Sequence, residues 1–247
     1  MVKKPSNKLA QLLAAAKSPP EGANPEQTQD AFFKALLDAT VYAHVPLGNP
    51  PEGVMRFIQF VRPDNGQTML PFFSDKQQAE ASRRNAALVV AMSGRNLFEL
   101  TRGASLMLNP NVDAIALYPP EIAAILEGRA LGYFAKDHIP AGTKVQIVPP
   151  SVSTAELNTV LRNLFETEAT VKAAFLAEVR RLDEGAEVIL VLTVVVAKTY
   201  QERLLQLVTL AFKAQALKLD LPLDIHFLVP DEPRNDLCNG GVQIFGT

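Results

Sequence analysis

The chain has no tryptophan, a single cysteine and three histidines in 247 residues, and each scarcity removes a class of function. A lone thiol, Cys238, cannot close an internal disulfide, which fits a reducing compartment. His44, His138 and His226 include no pair at the i, i+4 spacing of a helical zinc site, and Cys238 belongs to no CxxC. Aromatic residues make up 7% of the chain, too few for the base-stacking platforms of single-strand binders. Charge of one sign is also lacking, with 24 basic against 26 acidic residues. The basic pairs Lys3-Lys4, Arg83-Arg84 and Arg180-Arg181 are too short to form a nucleic-acid footprint. Long apolar runs are missing as well. The longest, Val188 to Ala197, is interrupted by Thr193 and is half the roughly 20 residues of a spanning helix. The stretch Leu9 to Ala16 is too weak for a signal peptide. The expectation is a cytoplasmic protein with no nucleic-acid, membrane, metal or cofactor partner.

The motifs of common chemistries are absent too. There is no GxSxG elbow, SxxK, GxxxxGK[ST] or GxGxxG. Asn239-Gly240-Gly241 reads as a turn beside Cys238, and Asp183-Glu184 and Asp231-Glu232 also fall in turns. Asp224 and His226 share one face of an expected strand. Such a pair serves proton transfer or metal binding, or is the solvated side of an edge strand, and the second reading is the simpler. His44, at the end of an apolar strand, and His138, in a connecting segment, read as satisfied or surface residues. No catalytic, metal or cofactor-binding residue is assigned.

What the sequence does contain is well-punctuated secondary structure. Asn24-Pro25-Glu26-Gln27 caps a helix whose apolar stripe is Ala31, Phe32, Ala35 and Leu36. Ser74-Asp75-Lys76-Gln77 and Ser153-Thr154-Ala155-Glu156 fit capping boxes for helices near 75–84 and 154–167. Val54 to Val61 and Thr68 to Phe73 flank an Asn65-Gly66 turn and predict a hairpin. Ala87 to Met92 and Ser105 to Leu108 predict strands, with a helix over Asn96 to Thr101 between them. Pro119-Pro120-Glu121 opens a further helix that stops at Gly128. Periodicity lapses from Arg129 to Pro150, which predicts a connection between domains. Beyond it, Val171 to Val179 alternates as a half-buried strand, and Val188 to Ala197 reads as a central strand buried on both faces. Thr199 to Lys218 is a helix with a narrow polar stripe (Glu202, Gln206, Thr209, Lys213), its apolar remainder covered within the chain or by a second copy. Leu223 to Val229 closes the set as a strand.

Several segments resemble one family. Leu70-Pro71-Phe72-Phe73-Ser74-Asp75, Ser93-Gly94-Arg95-Asn96-Leu97-Phe98, Gly103 to Pro110 with its Asn109-Pro110 turn, and Pro119-Pro120-Glu121-Ile122 resemble, in order, the N-terminal domain of the SseB (enhanced serine sensitivity) family. Phe32 to Tyr42 is similar to that domain's opening helix and strand. Leu157 to Phe165, Thr170 to Leu176 and Leu223 to Phe227 are similar to the family's C-terminal domain. The resemblance implies a two-domain α/β protein of the bacterial cytoplasm. It brings no catalytic residues, and the family name records a phenotype rather than a reaction.

The sequence thus predicts a mixed α/β (α+β) protein of two domains, each a mixed β-sheet covered by helices. The boundaries are a helical extension over 1–24, an N-terminal domain over 25–130, a linker over 131–150 and a C-terminal domain over 151–247. The function expected is a non-enzymatic interaction or regulatory role with protein partners, a homodimer among them, and a tie to amino-acid sensitivity implied by the resemblance. The alternative is a small-ligand binder or enzyme whose site is assembled from distant segments. Convergence of His44, Arg56, Arg95 and Asn109 in one cleft would favour that alternative.

Overall fold

A computed structural model of the chain describes residues 8–48, 54–83, 87–131, 144–182 and 187–246. The chain divides into two units, Met1–Tyr133 and Phe134–Thr247. Each is a mixed sheet with helices, as the patterning predicts. His138 and Asp183-Glu184 lie outside the described residues.

The first unit contains α1 (Lys8–Lys17), α2 (Pro25–Asp38), β1 (Thr40–Pro46), β2 (Phe60–Val61), β3 (Thr68–Phe73), α3 (Lys76–Ala81), β4 (Ala87–Ser93), α4 (Gly94–Leu100), β5 (Leu106–Leu108), β6 (Ile115–Leu117) and α5 (Pro119–Leu126). The sheet runs β4-β1-β3-β5-β6, with β2 paired to β3. β1 is antiparallel to β3 and β4, whereas β3 and β5 are parallel. Asn24 caps α2 as expected, its Oδ1 accepting from the amides of Glu26 and Gln27 at 2.9 and 3.3 Å. At α5, Glu121 returns a carboxylate oxygen to the Tyr118 amide at 2.9 Å, so the first turn after Pro119-Pro120 is closed. α1, in the N-terminal helical extension, packs on α2 with Leu13 buried and reaches Asp113 through Lys17 Nζ at 2.8 Å.

Two local expectations change. The cap of α3 is Asp75, not Ser74, its Oδ1 accepting from the Gln78 amide at 3.1 Å. Ser74 is engaged elsewhere: its amide donates to Asn109 Oδ1, and its hydroxyl accepts from Asn109 Nδ2, both at 3.0 Å. The parallel β3–β5 ladder brings the ends of those strands together, so the Leu70–Asp75 segment and the Asn109-Pro110 turn form one knot. Asn109 is buried with φ +46, a conformation that asparagine tolerates better than most residues. The hairpin is also shorter than its pattern. Phe60 and Val61 pair with Met69 and Thr68, but residues 54–59 leave the ladder and keep one bond to β1, from the Ile58 amide to the His44 carbonyl at 2.8 Å.

The second unit contains β7 (Val145–Val148), α6 (Ala155–Glu166), β8 (Val171–Arg181), β9 (Val188–Val196), α7 (Lys198–Gln215), β10 (Leu223–Leu228), α8 (Asp236–Gly240) and β11 (Val242–Gly246). Its sheet order is β10-β9-β8-β11, and β7 also pairs with β8. One edge of β8 is therefore shared in tandem, by β11 along Ala173–Leu176 and by β7 along Glu178–Arg181. Residues 145–148, assigned to the linker for want of periodicity, are thus a strand, too short at four residues to display a period. The predicted half-buried strand is corrected in the same way. β8 has neighbours on both sides and is buried on both faces over most of its length, Lys172 excepted. Central β9 matches its reading. α6 begins after Thr154, which makes no side-chain cap bond to the backbone. The apolar surface of α7 is largely used within the unit: Leu204 and Val208 join the core with Leu157, Leu161 and Phe165 of α6, and Phe212 packs against it.

Candidate functional site

A cluster of exposed apolar residues in the first unit lies beside β4. This strand pairs along all seven residues with β1, from Ala87 against Pro46 to Ser93 against Thr40. It stands at the end of the sheet, and no other described strand pairs with it. Its sequence, Ala-Leu-Val-Val-Ala-Met-Ser, holds no charge, proline or glycine. Edge strands are ordinarily guarded by charges, prolines or bulges against pairing with another chain. Leu88 and Val90 lie on one face with Val45, their β1 neighbourhood set by the register. With Leu47, Val54, Met55 and Arg56 they line a groove of about 250 Å³. Leu47, Val54, Met55 and Leu88 are 58, 48, 48 and 45% exposed. Exposed apolar groups in a contiguous patch mark interaction surfaces, whereas scattered ones do not.

Other cavities lie in the same unit, and two of them hold residues singled out in the sequence. One, of about 190 Å³, is lined by His44, Ile58, Phe60, Phe73, Ser82 and Asn111 among others. His44 is 5% exposed and its Nε2 lies 2.8 Å from the Ala79 carbonyl. A carbonyl only accepts, so Nε2 carries the proton and the ring is held against Phe73. The other cavity, of about 480 Å³, lies among α2, α4 and α5 and is lined by Lys34 and Arg95. α4 reaches that position through Gly94, where a Cβ would collide with the Leu36 carbonyl oxygen. The four polar residues of the distant-segment reading therefore part company. His44, Arg56 and Arg95 line three different cavities, and Asn109 is spent in the β3–β5 knot.

In the second unit one buried carboxylate is matched by its neighbours, whereas Asn158 Oδ1 and Thr193 Oγ1 are buried without a hydrogen-bond partner among the described residues. Glu178 is fully buried on the face of β8 that carries Ala174 and Leu176. It accepts from the Ser151 hydroxyl and amide, the latter at 2.8 Å, and from Arg180 Nε at 2.6 Å. The Ser151 hydrogen bonds, then Arg180, hold its carboxyl below the usual carboxylate range despite burial. This ties the segment before α6 to the sheet. Asp224 and His226 share the exposed side of edge strand β10, and Asn235 Nδ2 donates to His226 Nε2 at 3.3 Å. Cys238 is buried in the short helix α8, and that burial pushes its thiol above the ordinary range. The glycines beside it have a packing role: a Cβ on Gly240 would meet Ile147 at 2.9 Å, and one on Gly241 the Leu176 carbonyl at 2.8 Å. Among the described residues no group of three or more His, Cys, Asp and Glu side chains is arranged to hold a metal. No described helix is long and apolar enough to cross a membrane.

Sequence reasoning missed the groove residues Leu47, Val54, Met55 and Leu88. An uncharged strand is the pattern of a central strand, and nothing local announces that β4 ends a sheet.

The family model described as the SseB protein N-terminal domain matches residues 9–124, and that of the SseB protein C-terminal domain matches 139–236. The chain is 27% identical to Protein SseB of Escherichia coli (strain K12) over 190 residues, which is 72% of this chain and 69% of the relative. The same figures hold for Protein SseB of Shigella flexneri. No solved structure matches it significantly. With one domain of the family falling in each of its two units, in the same order, the chain belongs to the SseB family.

Proposed function

We propose that the chain is a non-enzymatic interaction protein of the cytoplasm that receives an extended segment of a protein partner along β4. The observation that carries this reading is the uncharged seven-residue edge with an apolar groove beside it. A strand added to such an edge gains affinity from main-chain hydrogen bonds and specificity from alternate side chains entering a groove. The groove asks for apolar residues at alternate positions. Arg56 on its wall has no ion-pair partner among the described residues and asks for a carboxylate nearby. A regulatory role of this kind agrees with a family named for serine sensitivity rather than for a reaction.

The test compares the wild type with Leu88→Lys/Ala91→Lys. Both residues are exposed, and edge lysines are a natural guard against pairing. A partner recovered from cytoplasmic lysate by the wild type is purified and added back to each protein while the backbone amides of β4 are followed by hydrogen exchange. The reading requires that the partner slows exchange at β4 in the wild type and fails to bind the variant. Equal binding by both proteins would contradict it. The edge is also available to a second copy of the chain, and sedimentation equilibrium separates that outcome from a foreign partner.

A further inference from the structure

We infer that the cavity among α2, α4 and α5 binds a small carboxylic acid with an apolar body. The inference is independent of the edge-strand reading, since the cavity shares none of the groove's lining residues. Its volume, about 480 Å³, lies within the usual range for small-molecule sites, roughly 300–1,000 Å³. Phe33 and Leu37 of α2, Ile125 and Leu126 of α5, and Leu131 supply apolar wall.

The charges on that wall do not balance. Lys34, Arg95 and Arg129 face Asp30 and Glu127. Glu127 is occupied by Arg129, whose Nε donates to Oε2 at 2.7 Å, and Asp30 has a partner of its own. Among the described residues neither Lys34 nor Arg95 has an ion-pair partner. The wall carries one positive charge more than it has carboxylates. An excess of positive charge beside low-dielectric walls raises the local concentration of anions, and a guanidinium matches a carboxylate with two parallel hydrogen bonds. The apolar wall in turn selects for a hydrocarbon body, which inorganic phosphate lacks. The position of Arg95 is built into the fold. Only a residue without a Cβ at position 94 lets α4 start against the Leu36 carbonyl, and that contact sets Arg95 near Phe33, Lys34 and Leu37.

The experiment titrates the full chain with 8-anilinonaphthalene-1-sulfonate and then competes the dye with 4-phenylbutyrate, 4-phenyl-1-butanol or inorganic phosphate. The expected result is one saturable dye site, emptied by the acid at a concentration at least about tenfold lower than by the alcohol, and not emptied by phosphate. Arg95→Gln/Lys34→Gln should weaken the acid by at least about tenfold and leave the alcohol unchanged. Both residues are exposed, so the variant is expected to keep the wild-type circular dichroism spectrum. Leu88→Lys should change none of these values, which separates this site from the β4 edge. Absence of a saturable site, equal potency of acid and alcohol, displacement by phosphate, or an unchanged acid affinity in the double variant would each overturn the inference.

Discussion

The two sheets treat their edges in opposite ways. In the second unit, β8 has both edges paired, one by β9 and the other by β7 and β11 in tandem, and edge strand β10 shows solvent Asp224 and His226. Its buried carboxylate, Glu178, is satisfied by Ser151 and Arg180. In the first unit, the sheet ends in a strand with no charge at all, and cations at Arg56, Lys34 and Arg95 line grooves without carboxylate partners among the described residues. A sheet can guard its own edge, or leave it for another molecule. The second unit does the former at β10 and the first does the latter at β4, while buried Asn158 Oδ1 and Thr193 Oγ1 of the second unit lack a hydrogen-bond partner among the described residues.

The contrast should appear first in stability. Leu192 is completely buried at the centre of β9, and Leu192→Ala should cost about 3 kcal/mol, the usual range for a leucine cavity being roughly 2–5. Leu88→Ala in β4 should cost less than about 0.5 kcal/mol, as for other surface changes. Urea denaturation of the two variants measures the difference, and equal losses would mean that β4 is covered. Gly94→Ala comes next. The new Cβ would collide with the Leu36 backbone, not with a flexible side chain, so α4 must move, at a cost of about 1–3 kcal/mol. The same variant should disturb the Arg95 cavity.

A third, smaller effect is pH-dependent. The folded state holds the Glu178 carboxyl below its ordinary value of 4.5. A depressed carboxyl contributes stability that is present above its unfolded value and is lost as pH falls through the folded one. Glu178→Gln should therefore lose about 2 kcal/mol at neutral pH, as for hydrogen bonds to a charged group, and the gap from wild type should close as pH drops below 4.5. A gap independent of pH would mean that the carboxylate charge is irrelevant. The smallest effect is chemical. Cys238, buried with a raised thiol pKa, should react slowly with maleimide at neutral pH and faster in urea. A rapid native reaction would show that α8 opens.

How far the sequence reached follows the same division. Features set by local chemistry were legible. The Asn24 cap, the proline-led start of α5 and the apolar run of β9, broken only by Thr193, all read correctly. Features set by distant partners were not. Ser74 reads as a helix cap until Asn109 takes its amide and hydroxyl, and Val145–Val148 reads as a linker until β8 supplies its partner. β8 reads as half-buried because Lys172 and Glu178 look like a solvent face, yet Glu178 is inside with Ser151. The groove escaped for a related reason. Whether an apolar strand is central or terminal depends on pairing, which no short window encodes.

The central claim is that β4 is an open edge, and amide exchange resolved residue by residue in the monomeric full chain tests it most directly. In an antiparallel pair, successive amides of an edge strand alternate between pointing at the neighbour and pointing away. The account predicts alternation along Ala87–Ser93, with the amides bonded to β1 protected and those between them exchanging freely, while Val188–Val196 is protected throughout. Uniform protection of β4 in the isolated monomer would show that the edge is already covered and would contradict the account.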